Sequence, residues 1–215
     1  YHLDDVNVIN NSMNNFQIPV SRYLRDKFSL TAEKKILLLQ GGMIIGRNIE
    51  TLVKAMAYVQ NSSIVLVLLG DGILQQQLKK IVASENLTKK VYFHSAVEQS
   101  ELLQLTASAD AGVIPYQATC LNNYYCTPNK LFEFIAAGIP ILATKLPEIS
   151  KIIEEQQIGM TGNTNSPKNF AILIDDFFKD EQNLKKWKEN TCLTRKIICW
   201  EQEEKKLVKI YEALR

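Results

Sequence analysis

Two residues one helical turn apart, Lys130 and Glu133, have the types and spacing that could do chemistry. Helical positions three apart share a face. A cation able to hold phosphate therefore stands beside a carboxylate able to hold hydroxyls, and that pairing suggests a nucleotide ligand. The stretch 127–140 around them reads as a short helix marked at both ends. Thr127 is a good N-cap and Pro128 suits the first helical position. Gly138 suits the left-handed residue after the helix, and Pro140 prevents continuation. A capping box would put Glu or Gln three residues after Thr127. Lys130 occupies that place instead, where the helix dipole is already positive. A cation beside free N–H groups at a helix start makes an anion seat, and a broken local rule often marks a site. A surface helix with an i,i+3 Lys–Glu pair accounts for the same residues and, on the local sequence alone, is slightly the better reading.

Other phosphate-seeking groups lie upstream. Gly41 and Gly42 follow an apolar run and permit close backbone approach to a phosphate, though a tight turn needs them too. Arg47, near the start of the next helical pattern, offers a planar fork for phosphate oxygens; a solvated surface arginine is an even alternative. The aperiodic loop 115–126 carries Tyr116, Tyr124 and Tyr125, which could stack on a ligand or serve as buried anchors. Neither a GxGxxG fingerprint nor a GxxxxGK[ST] loop is present. His2 and His94 are the only histidines and no serine motif stands near His94, so a hydrolase is a poor reading. The cysteines at 120, 126, 192 and 199 form no Cys-x-x-Cys pair. With so few ligands a zinc site is not expected, and reduced cytosolic thiols are.

These candidates need strands and helices to position them, and the hydrophobic pattern supplies both. Lys35–Gln40 and Ile64–Leu69 are continuous apolar runs ended by glycines, which read as buried parallel strands. Shorter strands are expected at 91–93, 111–114 and 141–143, with a last edge strand over 158–162. Apolar residues at helical spacing fill the gaps, as in Ile49, Leu52, Val53, Met56 and Val59. Strands alternating with helices predict βαβ units: an α/β, Rossmann-like open parallel sheet with helices on both faces, followed by a helical C-terminal tail. Residues 1–33 read as a lead-in, with a short strand at Val6–Ile9 and a short helix within 21–28. Residues 34–180 form the ligand-binding domain and 181–215 the closing helices. In such sheets ligands bind beyond the carboxyl ends of the strands, where all the candidates fall.

Composition sets outer bounds. The chain has 215 residues, 46% hydrophobic and 22% charged, with a net charge of +2. That suits a soluble globular protein with a sizeable core and gives no electrostatic case for nucleic acid. No apolar run approaches membrane-spanning length and no signal peptide is visible. Beginning at Tyr1, the chain reads as a fragment of something longer.

Taken in order, the pieces resemble the C-terminal, donor-binding domain of GT-B-fold glycosyltransferases, in particular the large retaining family with a Glu-x7-Glu motif (glycosyl transferases group 1). The resemblance runs from about Asn7 to Tyr211. Val6–Asn11 is similar to the lead-in V-x-V-I-x-N. Gly41-Gly42 through Arg47 looks like the diphosphate-holding turn, and Val65–Gly72 resembles L-x-I-V-G-x-G. Val91–Val97 resembles V-x-F-x-G-x-V, and Ala109–Pro115 resembles A-D-V-x-V-x-P. Pro128–Pro140 resembles P-x-K-x-x-E…G-x-P. The resemblance implies a hexosyltransferase-type enzyme using a UDP- or GDP-type nucleotide sugar and a glycan or glycolipid acceptor, as in polysaccharide assembly. It implies Glu133 on the ribose hydroxyls, and Arg47 and Lys130 as catalytic cations on the departing diphosphate. The amides of Thr127 to Asn129 would help, His94 and Ser95 would lie near the nucleobase, and neither metal nor cofactor would be needed. Tyr125 stands where the family's first glutamate approaches the donor sugar. The acceptor domain would precede this chain, which alone should bind donor and transfer little or nothing. Trp200 to Tyr211 would pack partly against that domain. A cytoplasmic enzyme is implied, with peripheral association at the inner membrane face open to the whole protein. A non-catalytic nucleotide-binding module, favoured by Tyr125, and a GT-B sugar-nucleotide epimerase, for which Asp71 and Glu148 are the spare carboxylates, are the alternatives.

Overall fold

The computed structural model describes residues 6–16, 18–19 and 21–213. Six parallel strands form one sheet in the order β3-β2-β1-β4-β5-β6. They are β1 (Lys35–Gln40), β2 (Ile64–Leu69), β3 (Val91–His94), β4 (Ala111–Ile114), β5 (Ile141–Thr144) and β6 (Gly159–Gly162). β1 and β2 pair in register from Lys35 against Ile64 to Gln40 against Leu69, and β2 and β4 are buried at every residue. That is the physical content of their unbroken apolar runs, since a strand covered on both faces need not alternate.

The helices are α1 (Tyr23–Lys27), α2 (Ile49–Ala55), α3 (Gln75–Ser84), α4 (Gln99–Thr106), α5 (Leu121–Tyr125), α6 (Asn129–Ala137), α7 (Pro147–Gln156), α8 (Pro167–Lys179), α9 (Glu181–Thr194) and α10 (Trp200–Glu212). Alternate residues of each central strand feed two cores. Leu37 and Leu39 face α2, α3 and α8, whereas Ile36 and Leu38 face the side holding α6 and α7. The sheet with helices on both faces and the helical C-terminal segment are as the hydrophobic pattern predicts.

Three local expectations change. The Val6–Ile9 segment forms no strand; Val6 and Val8 are exposed. Its neighbour Asn10 instead bonds to a helix, its N–H donating to Glu203 Oε2 at 3.1 Å, while Trp200 N–H donates to Met13 O at 2.9 Å. The end of the lead-in is core rather than linker, because Leu24 of α1 is fully buried and Arg25 pairs with Asp110 at 2.6 Å. Loop 115–126 is not structureless, since it contains α5.

Candidate functional site

The chain leaves β1 toward β2 and later returns to place β4 on the other side of β1. The crevice beyond the carboxyl ends of β1 and β4 is thus the topological switch point, the usual ligand position in an open α/β sheet. A cavity of about 410 Å³ opens there. The β1–α2 loop supplies Gly41, Gly42, Ile44 and Arg47 to its wall; the segment after β4 supplies Tyr116, Asn122, Asn123 and Cys126. The start of α6 supplies Asn129, Lys130 and Glu133. Six of the ten residues expected at the site therefore line it: Gly41, Gly42, Arg47, Asn129, Lys130 and Glu133.

Backbone contacts fix both walls. Gly41 N–H donates to Leu69 O and Met43 N–H to Asp71 O, each at 2.9 Å, so the β1–α2 loop continues the β1–β2 ladder. A Cβ on Gly70 would lie 2.3 Å from Gly41 O, and Gly70 has a φ of +136°; glycine here allows the two turns to touch. Asn48, next to Arg47, is buried in the left-handed region, and its Nδ2 donates to Thr164 O at 3.2 Å. On the opposite wall, α6 lies close on β4 because Gly112 has no side chain: a Cβ there would meet the Phe134 ring at 2.5 Å.

Two cations converge in the cavity. Arg47 Cζ stands 4.1 Å, and Lys130 Nζ 5.3 Å, from the ring centroid of buried Tyr116. Neither forms an ion pair among the described residues. Burial first, then the Arg47 charge, pushes the Lys130 ammonium down to about 8, while Glu133 pulls it the other way. The helix N-terminus beside them is open. Pro128, not Thr127, is the N-cap of α6, with extended backbone and no side-chain cap. A proline offers no capping oxygen, so the amides of Asn129 and Lys130 keep their donor capacity. Unpaired cations and free helix amides at one point make an anion site.

Glu133 is oriented from behind. Gln40 Nε2 donates to Glu133 Oε2, and Thr106 Oγ1 donates to Gln40 Oε1 at 2.8 Å. Gln40 and Thr106 are buried, so the carboxylate is held by a satisfied polar relay rather than by solvent. Among the described residues it is the only carboxylate lining the cavity. Asp71 accepts from Ala96 N–H at 3.0 Å and serves the turn, and Glu148 lies on α7 outside the lining.

Of the expected residues, four lie outside the lining, and Asn129 within it has a partner of its own. Thr127 is half-buried and outside the lining, having lost the N-cap position to Pro128. Asn129 Oδ1 accepts from Asn11 Nδ2 at 3.1 Å. Tyr125 is exposed and packs edge-on against Tyr124, 4.7 Å between centroids, because α5 directs Asn122 and Asn123 to the cavity instead. His94 ends β3 and Ser95 follows it, two strands from β1. With His94 Nδ1–H donating to Ser95 O at 2.7 Å, its Nε2 accepts from the Tyr23 hydroxyl at 3.3 Å. Gln40, Asn122, Asn123 and Cys126 were not candidates on the sequence. A polar Gln closing an apolar strand was the one visible signal.

Known proteins resemble this chain throughout. A family model described as glycosyl transferases group 1 matches residues 21–193. An uncharacterized glycosyltransferase of Methanocaldococcus jannaschii is 24% identical over 184 residues, covering 82% of this chain and 46% of that protein. The probable glycosyltransferase WbjE of Pseudomonas aeruginosa is 28% identical over 145 residues, covering 66% of this chain and 36% of its own length. Among solved structures, Anabaena HepE in complex with UDP superposes with a TM-score of 0.81 at 16% identity, over 96% of this chain and 57% of that one. This chain spans less than half the length of those two sequence relatives.

Proposed function

The chain belongs to the glycosyl transferases group 1 family, and from that premise we propose that it is the donor-binding half of an enzyme that moves a sugar from a nucleoside diphosphate to a glycan or glycolipid acceptor. The convergence of Arg47, Lys130 and the open α6 N-terminus on one cavity carries the reading. Those groups meet the diphosphate charge, and Glu133, held by Gln40, accepts from the ribose hydroxyls. As the sugar–phosphate bond breaks, negative charge grows on the leaving diphosphate. Fixed cations in a partly closed site stabilise that charge more than they stabilise the bound donor, which is what accelerates the step. The charge is met by side chains and amides, so the reading invokes no metal ion. The acceptor and the rest of the catalytic cleft belong to a further domain of the whole protein, and the nucleotide complex of HepE makes UDP the first donor base to try.

A thermal-shift screen of this chain with UDP, GDP, ADP and CMP tests the proposal. A ligand that binds only the native state stabilises it by about 2.7 kcal/mol at a hundred times its Kd, or roughly 5–10 °C for a chain of this size. One diphosphate should stand out, and Lys130→Ala and Glu133→Ala should each abolish its shift. No stabilisation by any of the four would sink the donor-site reading.

A further inference from the structure

We propose that Tyr116 is the positioning residue of this site: its ring holds Arg47 and Lys130 together before an anion arrives, and its hydroxyl reaches the bound diphosphate sugar. The inference rests on the donor-site reading above and adds a residue to it. Tyr116 is 4% exposed and is one of the residues that line the cavity. Both cations lie within 6 Å of its ring centroid, at 4.1 and 5.3 Å, the range over which the negative face of an aromatic ring attracts a cation. Among the described residues no protein group hydrogen-bonds the Tyr116 hydroxyl, and Tyr116 lines the cavity. A phenol with no partner among the described residues, on a side chain that lines a cavity holding two cations, is a donor for a ligand oxygen.

The physical need for such a ring is clear. Two long cationic side chains repel one another, and each keeps rotamer freedom that binding would have to remove. The charged groups facing Lys130 are Arg47 from the β1–α2 loop, which opposes its charge, and Glu133 on its own helix, which favours it. The Cys126 thiol shares the cavity and is pushed up by burial, so it stays protonated and brings no counter-charge at neutral pH. Glu133 is engaged by Gln40. The ring is thus the one attraction that the two cations share, beside that of Glu133 on Lys130 alone.

Pyrophosphate and UDP titrated calorimetrically into the 215-residue chain between pH 6.5 and 9.5 read this out. Pyrophosphate reports the cations without the ribose contact. With the probe's own ionisation in this range corrected for, affinity for the native chain should be level below pH 8 and decline above it, as Lys130 loses its proton. Tyr116→Leu should weaken pyrophosphate roughly tenfold or more and move the decline to lower pH, since the ring no longer favours the ammonium. Tyr116→Phe should keep the pH midpoint and lose only the hydroxyl's share, a few-fold. To separate the ring's charge distribution from packing, a series of increasingly fluorinated phenylalanines at 116 keeps the shape and drains the negative face. Affinity should fall steadily along it. A flat fluorination series, or a Tyr116→Leu midpoint equal to the native one, overturns the inference while leaving the donor site standing. Failure of the native chain to bind either probe overturns both.

Discussion

Burial and the Arg47 guanidinium push Lys130 down to about 8 from an ordinary 10.5, and that shift has a sign. Between about pH 8 and 10.5 the unfolded chain carries a proton on Lys130 that the folded chain has released, so stability rises with pH across this window. Below pH 8 both forms are charged and the full cost of burying the ammonium is present, on the order of 3 kcal/mol. Lys130→Met, which keeps the stem and removes the charge, should therefore raise the unfolding free energy at pH 7 by up to roughly that amount. The gain should shrink toward pH 10.5, and pyrophosphate binding should be lost throughout; urea melts at three pH values check it. A residue that weakens the fold and is needed by a ligand is a functional residue on physical grounds. Gln40 acts differently. Gln40→Leu removes the donor to Glu133, while the Thr106 hydroxyl keeps its bond to Leu102 O at 2.8 Å, so the loss of stability should be small, on the order of 1 kcal/mol. The substitution should weaken UDP toward the affinity of pyrophosphate while leaving pyrophosphate nearly unchanged. The Lys130–Glu133 pair was legible in the sequence because one helix carries both. The Gln40 bond spans 93 residues of sequence, and the Tyr116 platform for two cations exists only after the strands assemble; no local pattern encodes either.

Helix α6 carries Lys130 and Glu133 into the site, and its placement depends on a gap in β4. A Cβ at Gly112 would sit 2.5 Å from the Phe134 ring, well inside contact distance, so Gly112→Ala must push the helix or twist the ring. Overpacking of that kind costs about 1–3 kcal/mol. Because Lys130 and Glu133 ride on the displaced helix, nucleotide affinity should fall with stability, and restoring stability with osmolyte should not restore it; melts and titrations with and without trimethylamine oxide separate the two. The strands were legible as apolar runs because a doubly covered parallel strand has no polar face to interrupt it. The C-terminus of α6 was legible as well: Gly138 adopts φ +71° and closes the helix, with Ile139 N–H donating to Phe134 O at 3.2 Å. The N-terminus shifted by one residue because Pro128 takes an extended backbone, ψ 148°, and helix starts are soft by that margin. The alternating Val6 and Val8 misled because their segment packs on α10, through Glu203, rather than on a sheet edge. A buried carboxylate on a helix attracts a polar strand-like segment as well as a sheet would, and alternation cannot tell the two apart.

At the scale of the molecule, the two cores share every central strand, and the cavity lies on the seam where β1 and β4 meet. α9 packs on α6, α7 and α8, and Trp187 of α9 stacks on Phe177 at 5.0 Å, tying the closing helices to the core behind β1. The other core has no tryptophan, but its amides in β5 and α7 can be followed by hydrogen exchange. If the closing helices at 181–215 were a separate unit, Trp187 fluorescence would be lost at lower urea than those amides. The shared strands and the stacked Trp187 argue instead for one cooperative transition. In a Trp200→Phe background, which leaves Trp187 as the single reporter, the fluorescence midpoint and the midpoint for loss of β5 protection should coincide. A ligand on the seam touches loops from β1 and β4 and the start of α6 at once, so saturating UDP should move both midpoints by the same amount. A ligand effect on β5 alone would mean that the donor site stabilises only the half of the sheet beyond β4, and that the closing helices fold independently of it.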